Sequence, residues 1–377
     1  MNILIIPDKF KGSLSAIAVI NAIKKGIAQV DNSIRTFEVI ASDGGDGFLE
    51  AISSTLEVET ISLNTRDPLG KSIKAEYLFS KQTSTAYIEL AKASGVALLK
   101  QEELNVMQTS TFGTGLQILH AISLGAKRIF IGLGGSATND AAIGIAHALG
   151  YRFLDGDGNA LFPRGANLNA VEKIISPKEP IFKDVQFYAI NDVQNPFYGT
   201  KGAAFTYAKQ KGASDSDIKL LDKGLRNIST VVKEQLGHDY ADTPGAGAAG
   251  GTGYGLRAFL DARFIGGVDF IFELKNVQKL LNTQNIDAII TGEGRIDDQT
   301  AYGKLIGGVV AIAKASAIPV LAICGKLGLE NETLQTLGLT AAEELYDPTK
   351  SAQYSFDHAE SLVAKKAEQL VRNLLGS

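Results

Sequence analysis

Charged side chains crowd into a short glycine-containing segment, residues 292–298, in the last third of the chain. Glu293, Arg295 and Asp297 alternate there with glycine and isoleucine. Carboxylates can hold a divalent cation, and an arginine can neutralise the charge of a phosphoryl group during its transfer. The mostly apolar run 286–290 precedes the segment and predicts a buried strand. We therefore expect a loop at the carboxyl edge of a parallel sheet, where α/β proteins bind their ligands.

Charged residues follow three other predicted buried strands in the same way. They are Lys9 and Lys11 after strand 2–6, Asp43 and Asp46 after strand 36–41, and Asp192 after strand 185–190. Two lysines beside a helix N-terminus suit a phosphate or a carboxylate, and two aspartates among glycines can hold Mg²⁺ or accept a proton from a hydroxyl. Solvated lysines and an ordinary Asp–Gly turn are the alternative explanations. The position of each group at a strand end favours a role in function.

A glycine-rich loop, residues 132–140, follows the predicted strand 128–131 and precedes a predicted helix. Its backbone N–H groups could cradle a phosphate around Gly134, Gly135 and Ser136. The spacing from Gly132 also satisfies G-x-G-x-x-A, with acidic residues at 155 and 157, so an NAD-type oxidoreductase is an alternative. Against that alternative, the loop lies deep in the chain and carries polar side chains that a pyrophosphate turn does not need.

The most glycine-dense segment is 244–255, which includes Gly247, Gly250 and Gly251. It follows a proline and not a strand, so the dinucleotide-binding motif lacks its required context. We expect its backbone to wrap an anion or a nucleotide, with a hinge as the second interpretation.

Composition excludes several classes of protein. A net charge of −4 gives no electrostatic reason to bind nucleic acid or an anionic membrane. The four histidines are scattered without metal-ligand spacing, and the single cysteine, Cys324, lies in a predicted buried strand. We find no signal sequence, no membrane span and no Walker A motif, so we expect a cytoplasmic protein that acts on a small molecule.

The order of the elements predicts an α/β fold with two domains. Both ends of the chain repeat a strand–loop–helix pattern, whereas residues 57–90 alternate apolar and polar residues as antiparallel strands do. We therefore predict one discontinuous domain from 1–70 and 285–377, interrupted by an inserted α/β domain at 71–284 that has an antiparallel portion.

Six motifs together resemble the type I glycerate kinases of bacteria. They lie at 8–13, 42–47, 134–140, 192–196, 244–251 and 291–297, in the order of that family and over nearly the whole chain. The departures are small: Asn191 stands where a small residue or cysteine is expected, and Phe197 and Tyr198 replace an aliphatic pair. The resemblance implies that the discontinuous domain is Rossmann or flavodoxin-like.

The resemblance also implies phosphorylation of D-glycerate by ATP and Mg²⁺, usually to 2-phosphoglycerate. Our own hypotheses for the residues are substrate carboxylate or phosphate binding for Lys9 and Lys11, proton acceptance for Asp192 or Asp43, Mg²⁺ binding for Asp46, Glu293 and Asp297, charge stabilisation for Arg295, and nucleotide phosphate binding at the Gly134 and Gly247 loops. We expect these groups to meet at a cleft between the two domains, and we allow for a homodimer. A 3-phosphoglycerate-forming kinase, an NAD-type oxidoreductase and a non-catalytic metabolite sensor are the alternatives.

Overall fold

The computed structural model describes residues 1–10, 12–42, 44–296, 305–329 and 331–376. Its strands are β1 (Asn2–Pro7), β2 (Arg35–Glu38), β3 (Glu59–Arg66), β4 (Ser72–Ser80), β5 (Thr85–Glu89), β6 (Arg128–Gly132), β7 (Arg152–Leu154), β8 (Lys173–Ile175), β9 (Gln186–Ile190), β10 (Arg263–Ile265), β11 (Ala288–Ile296), β12 (Val320–Leu327) and β13 (Ala341–Glu344). Its helices are α1 (Ala16–Val30), α2 (Phe48–Ser53), α3 (Ala91–Ser94), α4 (Phe112–Ser123), α5 (Ile143–Ala148), α6 (Ala203–Tyr207), α7 (Asp215–Leu236), α8 (Ala248–Leu260), α9 (Gly267–Leu274), α10 (Val277–Thr283), α11 (Leu305–Lys314), α12 (Asn331–Thr336), α13 (Ala352–Asp357) and α14 (Ala359–Gly376).

The chain divides into two compact units, one formed by Met1–Ser42 with Val268–Ser377 and the other by Asp43–Gly267. We call them the terminal unit and the inserted unit. The boundaries predicted from the sequence, 70/71 and 284/285, lie further along the chain than these divisions, and as boundaries of folding domains they stay a prediction.

The terminal unit is built on a five-stranded parallel sheet in the order β13-β12-β11-β1-β2. When the strands of this unit are numbered in chain order, the sheet has the 2-1-3-4-5 order of flavodoxin-like folds, as the resemblance implies. Residues 3–6 of β1 are apolar and fully buried, because a parallel sheet is covered on both of its faces. On one face α1 packs against α14, and a Cβ at Gly26 would lie only 2.1 Å from the carbonyl oxygen of Ala364.

The inserted unit has a six-stranded mixed sheet in the order β10-β9-β6-β5-β4-β3. Strands β5, β6, β9 and β10 are parallel, whereas β3, β4 and β5 pair antiparallel. The antiparallel portion predicted from the alternating pattern is therefore confirmed. Tyr87, Phe130 and Tyr188 stack in a row across the three central strands, with ring centroids 5.4 Å and 4.4 Å apart.

Two local predictions are wrong. Residues 292–296 continue strand β11 and do not form a loop, because they keep pairing with β12 as far as Ile296 opposite Leu327. The sequence predicts one helix over about 270–281, but the structure has two, since Asn276 between α9 and α10 has a left-handed backbone with φ of 50°.

Candidate active site

In the terminal unit, the neighbouring ends of β1 and β11 bring the first group of predicted residues together. Pro7 lies opposite Gly292 in the parallel register, and the Asp8 N–H donates to the carbonyl oxygen of Gly292 at 2.8 Å. Lys9 follows at once, and its N–H donates to Asp8 Oδ1 at 2.7 Å. The strand ends thus place Lys9, on the chain just after β1, beside the last third of β11.

Glu293 and Arg295 lie on β11 itself, two positions apart and therefore on the same face of the strand. Glu293 is 8% exposed, whereas Arg295 is exposed to solvent. On the next strand their partners in register are Cys324 and Lys326. The edge offers cations and a carboxylate on one face, which suits an anionic ligand that carries a metal ion. Lys11 and Asp297 lie outside the described residues.

Cys324 is fully buried, and its thiol does not serve as a nucleophile. Burial raises the pKa of Cys324 to about 12, and the negative charges of Glu344 and Glu293 act in the same direction. A thiol with such a pKa stays protonated near neutral pH, so the cysteine is a core residue, as its strand position predicts.

In the inserted unit, the loop after β6 packs against the segment 44–47. The Gly134 N–H donates to Gly44 O at 3.0 Å, and a Cβ on Gly134 would lie 2.2 Å from Gly45 Cα. Gly135 has φ of +72°, and a Cβ there would lie 3.2 Å from Asp46 Oδ1. The glycines therefore allow a close approach that brings the exposed carboxylate of Asp46 to the predicted phosphate loop. Asp43 lies outside the described residues.

Asp46 also lines a cavity of ≈ 490 Å³ together with Glu89, a residue that the sequence analysis did not single out. Glu89 ends β5 opposite Gly132 in the parallel register and is 4% exposed. Lys74 and Lys92 line the same cavity. Nothing in the spacing of the sequence distinguishes Glu89 from a surface acid at the end of a strand.

Behind the Gly134 loop lies a buried polar cluster formed by Thr111, Ser136, Asp140 and Lys211. Asp140 is fully buried, and Oδ2 accepts from Thr111 N at 2.8 Å, from Thr111 Oγ1 at 2.9 Å and from Gly144 N at 3.3 Å. Burial raises the pKa of Asp140 to about 6 against the opposing effect of these hydrogen bonds.

Lys211 is 3% exposed, and its Nζ donates to Ser136 Oγ and to Thr138 O, both at 2.7 Å. Burial lowers the pKa of Lys211 to about 7, while the charge of Asp140 opposes this change. Lys211 carries no signal of burial in the sequence, because a lysine next to glycine in a polar stretch resembles a solvated one.

Asp192 follows β9 and is anchored to the backbone. Its Oδ1 accepts from Gly267 N at 2.8 Å. Asn191, the preceding residue, is bonded through its N–H to Ile265 O on β10. The carboxylate is thus held at the carboxyl edge of the inserted unit's sheet, next to the end of β6.

The glycine-dense segment is packed closely into the inserted unit. A Cβ at Gly247 would lie 2.3 Å from Pro196 O, one at Gly250 would lie 2.0 Å from Thr138 O, and one at Gly251 would lie 2.4 Å from Phe197 Cε2. Residues 249–251 have left-handed backbone, after which α8 continues regularly. Packing alone therefore accounts for the glycines, and contact with an anion or a nucleotide stays a prediction.

Among the described residues, no three His, Cys, Asp or Glu side chains come close enough to form a metal site by themselves. Mg²⁺ is commonly held by only one or two carboxylates together with substrate phosphates and water. Asp46 and Glu293 supply oxygen donors of that type, so their chemistry fits the ion.

The helices of the described part of the chain include none that is long and apolar enough to cross a membrane.

Comparison with known proteins identifies the family. The profile of the glycerate kinase family matches residues 3–375. A glycerate kinase of Halalkalibacterium halodurans is 39% identical over 373 residues, covering 99% of this chain and 97% of the relative. A glycerate 2-kinase of Escherichia coli K12 is 39% identical over 328 residues, covering 87% and 86%.

A crystal structure from Salmonella typhimurium LT2, attributed to glycerate kinase 2, has a TM-score of 0.82 and 32% identity. It covers 100% of this chain and 98% of its own. These relatives do not favour the NAD-type alternative for the Gly132 loop. The chain is therefore a kinase of the glycerate kinase family.

Proposed function

We propose that the protein transfers the γ-phosphoryl group of ATP to D-glycerate and forms 2-phosphoglycerate. The observation that carries this proposal is the shared edge of β1 and β11, with Lys9, Glu293 and Arg295 at the strand ends. Phosphoryl transfer to glycerate joins two anions, so it needs cations to neutralise their charge. The identity with a glycerate 2-kinase of E. coli supports the 2-phosphoglycerate product.

In this proposal the C2 hydroxyl oxygen of glycerate attacks the γ-phosphorus, and the bond between that phosphorus and the leaving ADP oxygen breaks. The hydroxyl proton goes to Asp192 or Asp43. Lys9 and Lys11 bind the glycerate carboxylate or the phosphoryl group, and Arg295 stabilises the charge on that group in the transition state. The anchoring of Asp192 by Gly267 N supports a fixed orientation of its carboxylate.

The phosphates of ATP are proposed to bind at two loops of the inserted unit. The residues concerned are Gly134, Gly135 and Ser136 in one loop, and Gly247, Gly250 and Gly251 in the other. In the first loop the Gly134 N–H already donates to Gly44 O, so the Gly135 and Ser136 N–H groups are the ones proposed to meet the anion, as in other glycine-rich phosphate loops. The packing of the second loop against Thr138 supports it as a scaffold for the first.

Mg²⁺ is proposed as the cation of the ATP complex, with Asp46, Glu293 and Asp297 as its carboxylate ligands. When bound, the ion would neutralise charge on the phosphates. In this proposal the protein's own side chains bind the glycerate carboxylate, accept the hydroxyl proton and hold the loops in place.

A coupled assay of ADP release with D-glycerate tests the proposal, with L-glycerate and NAD⁺ plus D-glycerate as controls. We expect turnover with ATP and D-glycerate, loss of turnover in excess EDTA, and no reduction of NAD⁺. No ADP release above background with D-glycerate would refute it.

The position of the new phosphate is tested by proton-coupled ³¹P NMR of the product. In 2-phosphoglycerate the phosphorus couples to the one proton on C2 and gives a doublet, whereas in 3-phosphoglycerate it couples to two protons on C3 and gives a triplet. A triplet would replace the proposed product by the 3-phosphoglycerate alternative. The homodimer stays a prediction that sedimentation equilibrium of the full chain checks.

A further inference from the structure

Lys211 is a buried cation that the proposed reaction does not use. It ends a short 3₁₀ turn, Lys209–Lys211, and Gly212 follows with φ of +90°. A Cβ at Gly212 would lie 2.3 Å from Leu104 O, so glycine is required for the chain to turn inward here. Burying an ammonium group is costly unless its N–H groups find acceptors. A lysine kept in such a place calls for an explanation beyond packing.

The acceptors of Lys211 both belong to the proposed phosphate loop. One is the hydroxyl of Ser136 and the other is the carbonyl of Thr138, two residues further on. The residue between them is tied as well, since Ala137 N donates to Ser94 O at 2.9 Å and Ala137 O accepts from Thr109 Oγ1 at 2.9 Å. Lys211 therefore supplies two of the bonds that fix the conformation of residues 136–138.

The direction of the Ser136 bond has a chemical consequence. An ammonium group has three N–H donors and no acceptor, so Ser136 Oγ must accept from Lys211. The hydroxyl proton of Ser136 then cannot point to Lys211, and within the described part of the chain it has no acceptor. A hydroxyl that is fixed as a donor, with a positive charge 2.7 Å behind its oxygen, is suited to bind a phosphate oxygen.

We propose that Lys211 is a positioning residue for the nucleotide: it holds the Ser136 hydroxyl as a donor toward a phosphate oxygen and fixes the loop that bears it. The inference rests on the proposed binding of ATP at the Gly134 loop. Lys211 itself does not touch the nucleotide. A neutral lysine at this place would no longer fix the direction of the Ser136 hydrogen bond. Its amine can also accept the Ser136 hydroxyl proton, and the hydroxyl would then turn away from the phosphate.

The structure offers a matched control on the same turn. Lys209 is two residues away, its side chain is 78% exposed, and it pairs with Asp215 at 3.5 Å on the surface. We would compare Lys211→Met, Lys211→Arg and Lys209→Met with the wild-type chain. Each protein is characterised by the Kd of ATP from calorimetry and by the KM for ATP and for D-glycerate.

For Lys211→Met we expect about a tenfold loss of ATP affinity, as is typical when a charge-assisted hydrogen bond is lost, with less than about a twofold change in the KM for D-glycerate. Lys211→Arg should restore part of the affinity, because a guanidinium also donates only. Lys209→Met should match the wild type. An unchanged Kd for ATP in Lys211→Met, or equal losses for both lysine variants, would overturn the inference.

Ser136→Ala keeps the proposal testable if Lys211→Met does not fold. We expect it to weaken ATP about as much as Lys211→Met, and the double variant should lose less than the product of the two single losses. A Ser136→Ala protein that binds ATP like the wild type, or losses that simply multiply, would refute the role of the hydroxyl. The calorimetry reads nucleotide binding directly, so it is independent of whether glycerate is the phosphoryl acceptor.

Discussion

Lys211 and Asp140 form an oppositely charged pair inside the inserted unit, without a direct hydrogen bond between them. Burial moves both pKa values toward neutrality, up to about 6 for Asp140 and down to about 7 for Lys211. The charge state of this pair therefore changes within the pH range in which enzymes are usually studied.

The lowered pKa of Lys211 predicts how stability depends on pH. In the unfolded chain a lysine keeps its proton up to about pH 10.4, whereas the folded protein releases it above about pH 7. Between these values the unfolded state binds more protons, so the lysine's contribution makes the free energy of unfolding rise with pH. From pH 7 to 9 the wild type should gain about 2 kcal/mol relative to Lys211→Met.

Urea denaturation of both proteins at pH 7, 8 and 9 measures this difference. Lys209→Met serves as the control and should follow the wild type at each pH. A difference that stays constant across the range would contradict the lowered pKa of Lys211.

Arg295 is the residue whose replacement should affect the chemical step most selectively. We expect Arg295→Met to lower kcat about 100-fold with a smaller effect on the KM for D-glycerate, since the guanidinium acts on charge that develops in the transition state. The control is Arg35→Met, because Arg35 is exposed at the start of β2, opposite Asn2 and therefore at the other end of the same sheet. Steady-state kinetics with equal kcat losses in both variants would remove Arg295 from its proposed role.

At the scale of the elements, the glycines of the inserted unit serve close packing as much as any ligand. Gly250 shows this most clearly, because it has φ of +68° and an added Cβ would lie 2.0 Å from the carbonyl oxygen of Thr138. The same carbonyl accepts from Lys211, so the segment before α8 and the buried lysine support the phosphate loop from two sides.

Gly250→Ala should therefore lower the free energy of unfolding by about 3 kcal/mol or more, from the strain of a positive φ together with a clash against backbone. Gly237→Ala is the matched control, since Gly237 has φ of +76° but nothing within 4 Å of a Cβ. It should cost only about 1 kcal/mol. Chemical denaturation gives both values, and equal losses would show that the contact with Thr138 O does not matter.

The elements that the sequence predicts well are those with a strong period. The sequence predicts a helix with a polar face from about 215 to 236, and α7 has these bounds. The alternating pattern predicts the antiparallel strands β3–β5. The errors have local causes. Glycines at 292 and 294 resemble the start of a loop, yet pairing with β12 keeps them extended, and the left-handed Asn276 divides one apolar pattern between two helices.

Some residues of the candidate site are likewise indicated by the sequence pattern, and others are not. Lys9, Asp46, Glu293 and Arg295 are predicted as site residues because charged residues next to a predicted strand end stand out from the apolar run before them. Lys211 and Glu89 have no such signal: burial defines them, and burial depends on contacts with residues 75 or 43 positions away in the chain. A single sequence does not contain that information in its local pattern.

For the whole molecule, the inserted unit should fold without the rest of the chain. All six strands of its sheet and its hydrophobic core lie within Asp43–Gly267. We expect a fragment of residues 43–267 to unfold cooperatively in urea. A fragment of residues 71–284, with the boundaries predicted from the sequence, should be less stable because it lacks β3 and all of its pairing with β4.

Circular dichroism of the two fragments during urea titration measures the difference. A gradual transition without a midpoint in the 43–267 fragment would contradict independent folding. A 71–284 fragment that is the more stable of the two would favour the boundaries predicted from the sequence over those of the compact units.

The sheet of the terminal unit, in contrast, joins strands that are far apart in the chain, because β1 lies between β2 and β11. Thr291 Oγ1 donates to the carbonyl oxygen of Ile6, a residue 285 positions earlier. At about 5–20 residues per second, a ribosome takes on the order of 15–60 s to reach β11 after it has made β1. During that interval the fully apolar core of β1 has only one of its two neighbouring strands. The sheet around β1 is thus completed only after most of the following chain has been made, which leaves its apolar residues open to non-native contacts until β11 arrives.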